Sequence, residues 1–436
     1  MKHIHTLITC FLLLKSNAQE TVYPAKAQQQ TIALINATIH IGNGEIIENG
    51  MVLFSKGKIV DVKPSSANVG DAKVVDCKGK QIYPGLISAQ TNLGLVEIGS
   101  TRSTVDEREL GEINSNVRSL IAYNTDSKII GPLRANGILL ANIIPQGGII
   151  SGSSSVVQLD AWNWEDAAYK TDAGMHFRVP NLSGARGGRA AFFAQLGIGG
   201  GQSDPVKAAL ERIDNVRKFF NEAKAYFNEA KHEHTNLKFE AVKPLFEQKQ
   251  NFYVHAETVK EIQVGVEFAK EFGFKAVVIG GTDSWMITDY LKENNVPVIL
   301  GEMHNLPATQ DDDVDQPYKT PFLLQQAGVL FAIGDVDDNT RGRNLMFNAG
   351  TAVAYGLTKE QALQAITLSA AKILGIDDKT GTLEKGKDAN IVISDGDILD
   401  MRTSNVSLAF IQGREVSLDN KQKQLYEKYK YKYNIK

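Results

Sequence analysis

The sequence predicts an α/β fold: a TIM-type (β/α)8 barrel with a small β-sandwich domain formed by both chain ends. Three observations lead there. Residues 31–83 alternate short apolar runs with turn residues, in "TIALINATIHIGNG", "GMVLFSKGKIVDVKP" and "AKVVDCKGKQIYP", the texture of hairpin strands. That texture returns near the end, in "GTLEKGKDANIVISDGD" and "NVSLAFIQGREVSL", so both ends are expected to complete one sheet domain. Between them, apolar strand candidates alternate with helical stretches, the pattern of βα units with buried parallel strands.

In the first β-rich region, Asn-Gly at 43–44 and at 49–50 mark turns. The middle offers seven strand candidates: "GLISAQ", "GILLANII", "SSVVQLD", "NFYVHA", "KAVVIGG", "VPVILG" and "VLFAIGD". Helices are predicted over 205–231, 258–272, 284–294 and 358–374. Seven candidates imply an eightfold barrel with one strand unrecognised; a doubly wound open sheet is the alternative. The expected division is a sandwich from 31–85 and 379–418, a barrel over 86–378 and a tail over 419–436. In a barrel the chemistry sits at the strand C-terminal ends, so those positions are the ones to read.

Composition narrows the function classes. The 436 residues are 43% hydrophobic and 22% charged, with 38 Gly and 12 Pro, which is ordinary globular usage. A nucleic-acid binder would carry a basic excess, whereas 47 Lys plus Arg are outnumbered by 50 Asp plus Glu, for a net charge of -3. Residues 1–18, with Lys2 ahead of an apolar run and Ser16-Asn17-Ala18 at its end, read as a secretory signal, implying an exported protein, periplasmic or secreted. The run is far shorter than the roughly 20 residues needed to span a bilayer. After cleavage Cys77 alone remains, so no disulfide forms within the chain.

Four segments carry a resemblance to a known family: "QIYPGLISAQTNLG", "YVHAET", "FAIGD" and "GLTKEQALQAITLSAAKILGIDDKTGTLEKGKDANIVI". Together they resemble the amidohydrolase superfamily, and within it the imidazolonepropionase-like members, over nearly the whole mature chain. The resemblance implies hydrolysis of carbon–nitrogen (non-peptide) bonds, often in cyclic amides, at one or two divalent metals inside the barrel. A bound metal polarises the carbonyl and lowers the pKa of its water to about 7.

Against that family pattern the site is degenerate. Two histidines at alternate positions of the first strand would point to one side and share one ion; here those positions are Gln90 and Asn92. His255 keeps the fifth-strand metal-ligand place, but Gly280 stands where the sixth strand carries histidine. At the eighth strand Asp335 or Asp337 takes the place of the aspartate that binds metal and shuttles protons. No counterpart of a bridging fourth-strand residue is found, and "GARGGRAAFFAQLGIGGG" fills part of that region.

Other constellations extend the candidate list. The loop after the seventh strand, "LGEMHNLPATQDDDVDQPY", brings Glu302 and His304 together with four aspartates, a relocated cation site or a solvated acidic loop. Arg102, Arg108 and Arg118, after the first strand, are able to clamp a carboxylate. Trp162, Trp164 and Tyr169 are candidate pocket aromatics or packing residues. The expected site thus holds Asp335 or Asp337 as catalytic base, His255 as metal ligand, and Gln90, Asn92, Gly280, Glu302 and His304 as pocket residues. The cofactor is one divalent ion, zinc or manganese, or none. The expected partners are a small molecule in the barrel mouth and, for a non-catalytic homologue, an oligomer with itself or with an intact homologue; neither nucleic acid nor a membrane span is expected.

Overall fold

The structure is a computed structural model that describes residues 23–65, 69–182, 204–229, 231–307, 309, 311–335 and 341–435. The leader, the Gly-rich stretch 184–201 and Asp337 lie outside the described residues.

Both chain ends meet in one sheet. Its N-terminal strands are β1 (Ile32–His40), β2 (Ile46–Ser55), β3 (Lys58–Pro64), β4 (Lys73–Asp76) and β5 (Gln81–Pro84). The C-terminal strands β14 (Ile391–Ser394), β15 (Val406–Ile411) and β16 (Arg414–Glu415) add to β5, in the order β16-β15-β14-β5-β1-β2-β3, with β4 beside β1. Asn43 and Gly44 turn the chain between β1 and β2 as expected. Asn49 and Gly50 do not: they lie within β2, where Asn49 has φ 48 and the register with β1 slips. The pair forms a bulge rather than a hairpin turn. The next turn is instead Lys56-Gly57, with φ 51 and 78, the two left-handed residues a tight hairpin requires.

The second sheet is the barrel, running in sequential order from β6 (Leu86–Thr91) through β7 (Ile138–Ile143), β8 (Ile150–Gln158), β9 (Ala168–Arg178), β10 (Asn251–Ala256), β11 (Lys275–Gly280) and β12 (Val298–Leu300) to β13 (Phe331–Ile333). Its two ends approach at Gly334, where an added Cβ would lie 2.8 Å from Cγ of Gln90. Ile87, Leu140, Val156, Tyr253, Ile299 and Ala332 are buried in one apolar cluster that fills the bore.

All seven strand candidates are present, and the unrecognised one is β9. Its sequence, "AYKTDAGMHFR", breaks the apolar run with Lys170, Thr171 and Asp172. The expected alternation with helices also fails locally: β8 is antiparallel to both β7 and β9. Residues 144–149 are too few to carry a crossover, which takes a dozen or more, so the chain doubles back as a meander.

Elsewhere the βα units are regular. Helix α1 (Pro205–Phe227) begins at the Asp204 cap, and α2 (Val259–Phe272) carries a capping box in which Thr258 and Glu261 satisfy each other's backbone. The predicted 358–374 helix is two pieces, α3 (Lys359–Ala365) and α4 (Leu368–Leu374), the second ending on the left-handed Gly375. The tail forms the exposed helix α5 (Lys421–Tyr433). Among the described residues no helix is long and apolar enough to cross a membrane.

Candidate functional site

A cavity of about 940 Å3 opens at the C-terminal ends of the barrel strands, the end of the barrel where active sites form. Gln90, Arg178, His255, Glu257, Gly280 and Glu302 all line it. Four of these six were expected from sequence. Arg178 and Glu257 were not.

At the first strand the two amide positions part company. Gln90 faces the cavity but is 2% exposed, and its amide donates to the Leu300 carbonyl at 3.2 Å. Asn92 does not line the cavity: it donates to Glu107 at 3.1 Å, on the loop that follows β6.

His255 is aligned in register with Arg178 across the β9–β10 ladder, so both side chains leave the sheet on the cavity side, with His176 two residues below. Nε2 of His255 lies 2.8 Å from Nδ1 of the fully buried His176, which also stacks on Tyr253 at 4.9 Å. That contact takes one ring nitrogen of the surviving ligand. Burial holds both imidazoles well below the usual histidine pKa, and the Arg178 guanidinium adds to the effect. The pair is therefore neutral, with one ring donating to the other. The strand under it depends on Gly174, where a Cβ would come within 1.9 Å of the Tyr253 ring.

Gly280, where the family resemblance led one to expect histidine, has little room for a side chain. Its φ is +96, and a Cβ there would fall 2.2 Å from the Glu257 carboxylate, so Glu257 occupies the volume a sixth-strand side chain would need. Oε2 of Glu257 accepts from the Thr282 hydroxyl at 2.5 Å. Glu257 is exposed to the cavity as a residue, yet its carboxyl is crowded by backbone, and that desolvation raises its pKa above the ordinary value against the pull of Thr282.

At the eighth strand Asp335 is present but does not face the cavity as an open base. It is 3% exposed and ion-paired with Arg341, whose Nε lies 3.3 Å from Oδ2. Arg341 also pairs with Glu302 from the end of β12. His304 turns away from the cavity, with Nε2 2.9 Å from the Thr351 hydroxyl and its ring edge-on to Tyr318, so it is not a pocket residue.

The three arginines expected as a carboxylate clamp are spent elsewhere: Arg102 on the Val105 carbonyl, Arg108 on Glu107 and Arg118 on Asp172. Among the described residues the arginine that lines the cavity is Arg178, on the unrecognised strand. Its Nε is buried and has no hydrogen-bond partner among the described residues. Trp162 is exposed and Tyr169 donates to Asp388 in the sheet domain, so neither aromatic enters the pocket.

The family's metal is tested by these donors. Among the described residues no three His, Cys, Asp or Glu side chains are grouped to hold an ion. Of the expected donors, Gln90 and Asn92 hydrogen-bond within the protein, His255 contacts His176, and Asp335 is ion-paired with Arg341. The described residues do not fit a bound divalent cation.

Comparison with known proteins agrees with the architecture. Residues 220–416 match the amidohydrolase family. The solved amidohydrolase from Thermotoga maritima superposes with a TM-score of 0.76 at 26% identity, over 88% of this chain and 99% of that one. These matches support the amidohydrolase superfamily for this chain. Within it, the chain is imidazolonepropionase-like: imidazolonepropionase from Rhizobium rhizogenes is 26% identical over 396 residues, covering 82% of this chain and 90% of that protein. The Mesorhizobium japonicum counterpart is 27% identical over 382 residues, 80% of this chain and 87% of its own. Molinate hydrolase shares the fold, with a TM-score of 0.54 at 15% identity over 91% of this chain and 96% of that one. These matches support a hydrolase of this superfamily.

Proposed function

We propose that this amidohydrolase homologue binds a small amide- or carboxylate-bearing molecule in its barrel mouth, without a metal ion, and does not hydrolyse it by the family's metal route. The observation that carries this reading is that the expected metal donors are engaged by other protein groups, while the cavity beside them stays open. Its volume of about 940 Å3 lies in the range of small-ligand sites. Arg178 supplies a planar cation suited to a carboxylate, and the neutral His176–His255 pair offers no charge to compete with it. On this reading the chain works as a ligand-binding or partner subunit, alone or beside an intact homologue, and residues 1–18 support export to the periplasm or the exterior.

A second reading is hydrolysis of a carbon–nitrogen bond in a cyclic amide by metal-free acid–base chemistry. One observation favours it: Glu257 places a carboxyl group in the cavity, two residues beyond His255, where it could act on a bound substrate's proton.

The experiment is a thermal-shift panel of small carboxylates, their matched primary amides and cyclic amides, with product analysis by chromatography. Carboxylates are expected to raise the melting temperature without forming product. Arg178→Met is expected to weaken them by about 30-fold, the equivalent of losing a charged hydrogen bond worth ~2 kcal/mol. Product that persists in the presence of a chelator would establish the second reading. Product that requires added zinc or manganese would sink both.

A further inference from the structure

Asp335 poses an electrostatic problem for this fold. It is 3% exposed at the end of β13, and a carboxylate withdrawn from water needs a cation beside it. Arg341 supplies it from within the chain. Its Nη2 lies 3.4 Å from Oδ1 and its Nε 3.3 Å from Oδ2 of Asp335, and Nη1 pairs with Glu302. One guanidinium thus bridges acids from the ends of two neighbouring strands, β12 and β13, and Glu302 belongs to the cavity wall.

We propose that Arg341 is a built-in cation that takes the place of a divalent metal at the acidic side of the barrel mouth. The inference rests on the reading above that the mouth works without a metal ion, and it goes further, because it names what replaced the ion. A guanidinium stays protonated at any physiological pH. It cannot be chelated or exchanged, and it presents no open coordination position at which water could be activated. The charge that would have polarised a substrate is held against the Asp335 and Glu302 carboxylates and instead ties the β12 and β13 ends together.

The replacement has a direct consequence. With the guanidinium removed, Asp335 and Glu302 lose the cation that they share, and carboxylate oxygens suit Mn2+. The test measures Mn2+ retained after gel filtration, by elemental analysis, and free Mn2+ by electron paramagnetic resonance during titration. Wild type is expected to retain none. Arg341→Gln is expected to retain about one ion per chain, and Arg341→Lys, which keeps the charge, none. Arg341→Gln combined with Asp335→Asn is expected to lose the ion again.

A folded Arg341→Gln that takes up no more Mn2+ than wild type overturns the inference, as does equal uptake by Arg341→Lys. If Arg341→Gln is too unstable to isolate alone, Mn2+ added during refolding decides the matter: recovery of a cooperative melt supports the site, and no recovery overturns it. The metal-free reading fails separately, by stoichiometric Mn2+ in wild type that is lost on His255→Ala.

Discussion

Gly280 shows how tightly the end of β11 is built against its neighbours. Restoring a side chain there is not a matter of one substitution, because the backbone is left-handed and the Glu257 carboxylate fills the space. Gly280→Ala is expected to destabilise the fold by more than about 1 kcal/mol, since alanine is strained at positive φ; chemical denaturation of the two proteins would measure it. An unchanged midpoint would mean that Glu257 and the turn relax freely. Glu257→Ala in the same background should recover only part of the loss, because the backbone strain remains. The departures at Gln90, Asn92 and Gly280 were legible in the sequence as missing histidines. What stands around them was not: Glu257 lies inside the "YVHAET" segment but nothing in its spacing shows that its carboxylate fills the space at Gly280, and Arg178 and Arg341 carry no family motif.

At the scale of elements, the joint between the sheet domain and the barrel is polar and titratable. His40, the last residue of β1, directs Nδ1 to Glu360 of α3 at 2.7 Å and Nε2 to Gln81 at 2.9 Å, with its ring stacked on Tyr83. Burial opposes the charged ring, but the Glu360 contact, with help from Gln81 and Asp397, outweighs it and raises the pKa above the ordinary 6.5. A group whose pKa is raised by folding stabilises the fold fully below its unfolded value and loses that contribution as pH rises through the folded value. The melting temperature of wild type should therefore fall more than that of His40→Gln between about pH 5.5 and pH 8.5, a window that spans the ordinary histidine pKa. Parallel loss in both proteins would show that the ring carries no charge. At this scale the sequence was readable wherever a strand was apolar or a helix capped. It misled at β9, whose polar residues hide a strand, and at Asn49-Gly50, where a turn pair serves as a bulge.

Over the whole molecule, three charged residues pin the chain's ends to the barrel. Asp160, 4% exposed after β8, accepts from Arg134 at 3.0 Å, from Arg414 of β16 at 2.9 Å and from the Ala25 backbone at 3.0 Å. One carboxylate therefore joins an N-terminal segment, the barrel and a C-terminal strand. Asp160→Ala leaves two arginines without their shared partner at a buried junction, and breaking such a network costs about 3–5 kcal/mol. Thermal unfolding should show a large drop in midpoint, with the sheet domain and the barrel no longer melting together. A loss below ~1 kcal/mol would mean that water replaces the carboxylate.

The sequence by itself determined the fold and carried the family resemblance, because both rest on local patterns: apolar runs of strand length, helix caps, turn glycines, and the closing segment from Gly356 to Ile393 that returns the chain to the sheet. It also marked His255 as kept and Gln90, Asn92 and Gly280 as changed. Only the tertiary structure decided what the changes amount to. Gln90 donates to the Leu300 carbonyl, His255 meets His176, and Asp335 and Glu302 pair with Arg341, contacts among groups that the barrel brings to one end from separate segments. A donor's availability depends on who else reaches it, and that is set by how strand ends converge, which spacing along a chain does not record.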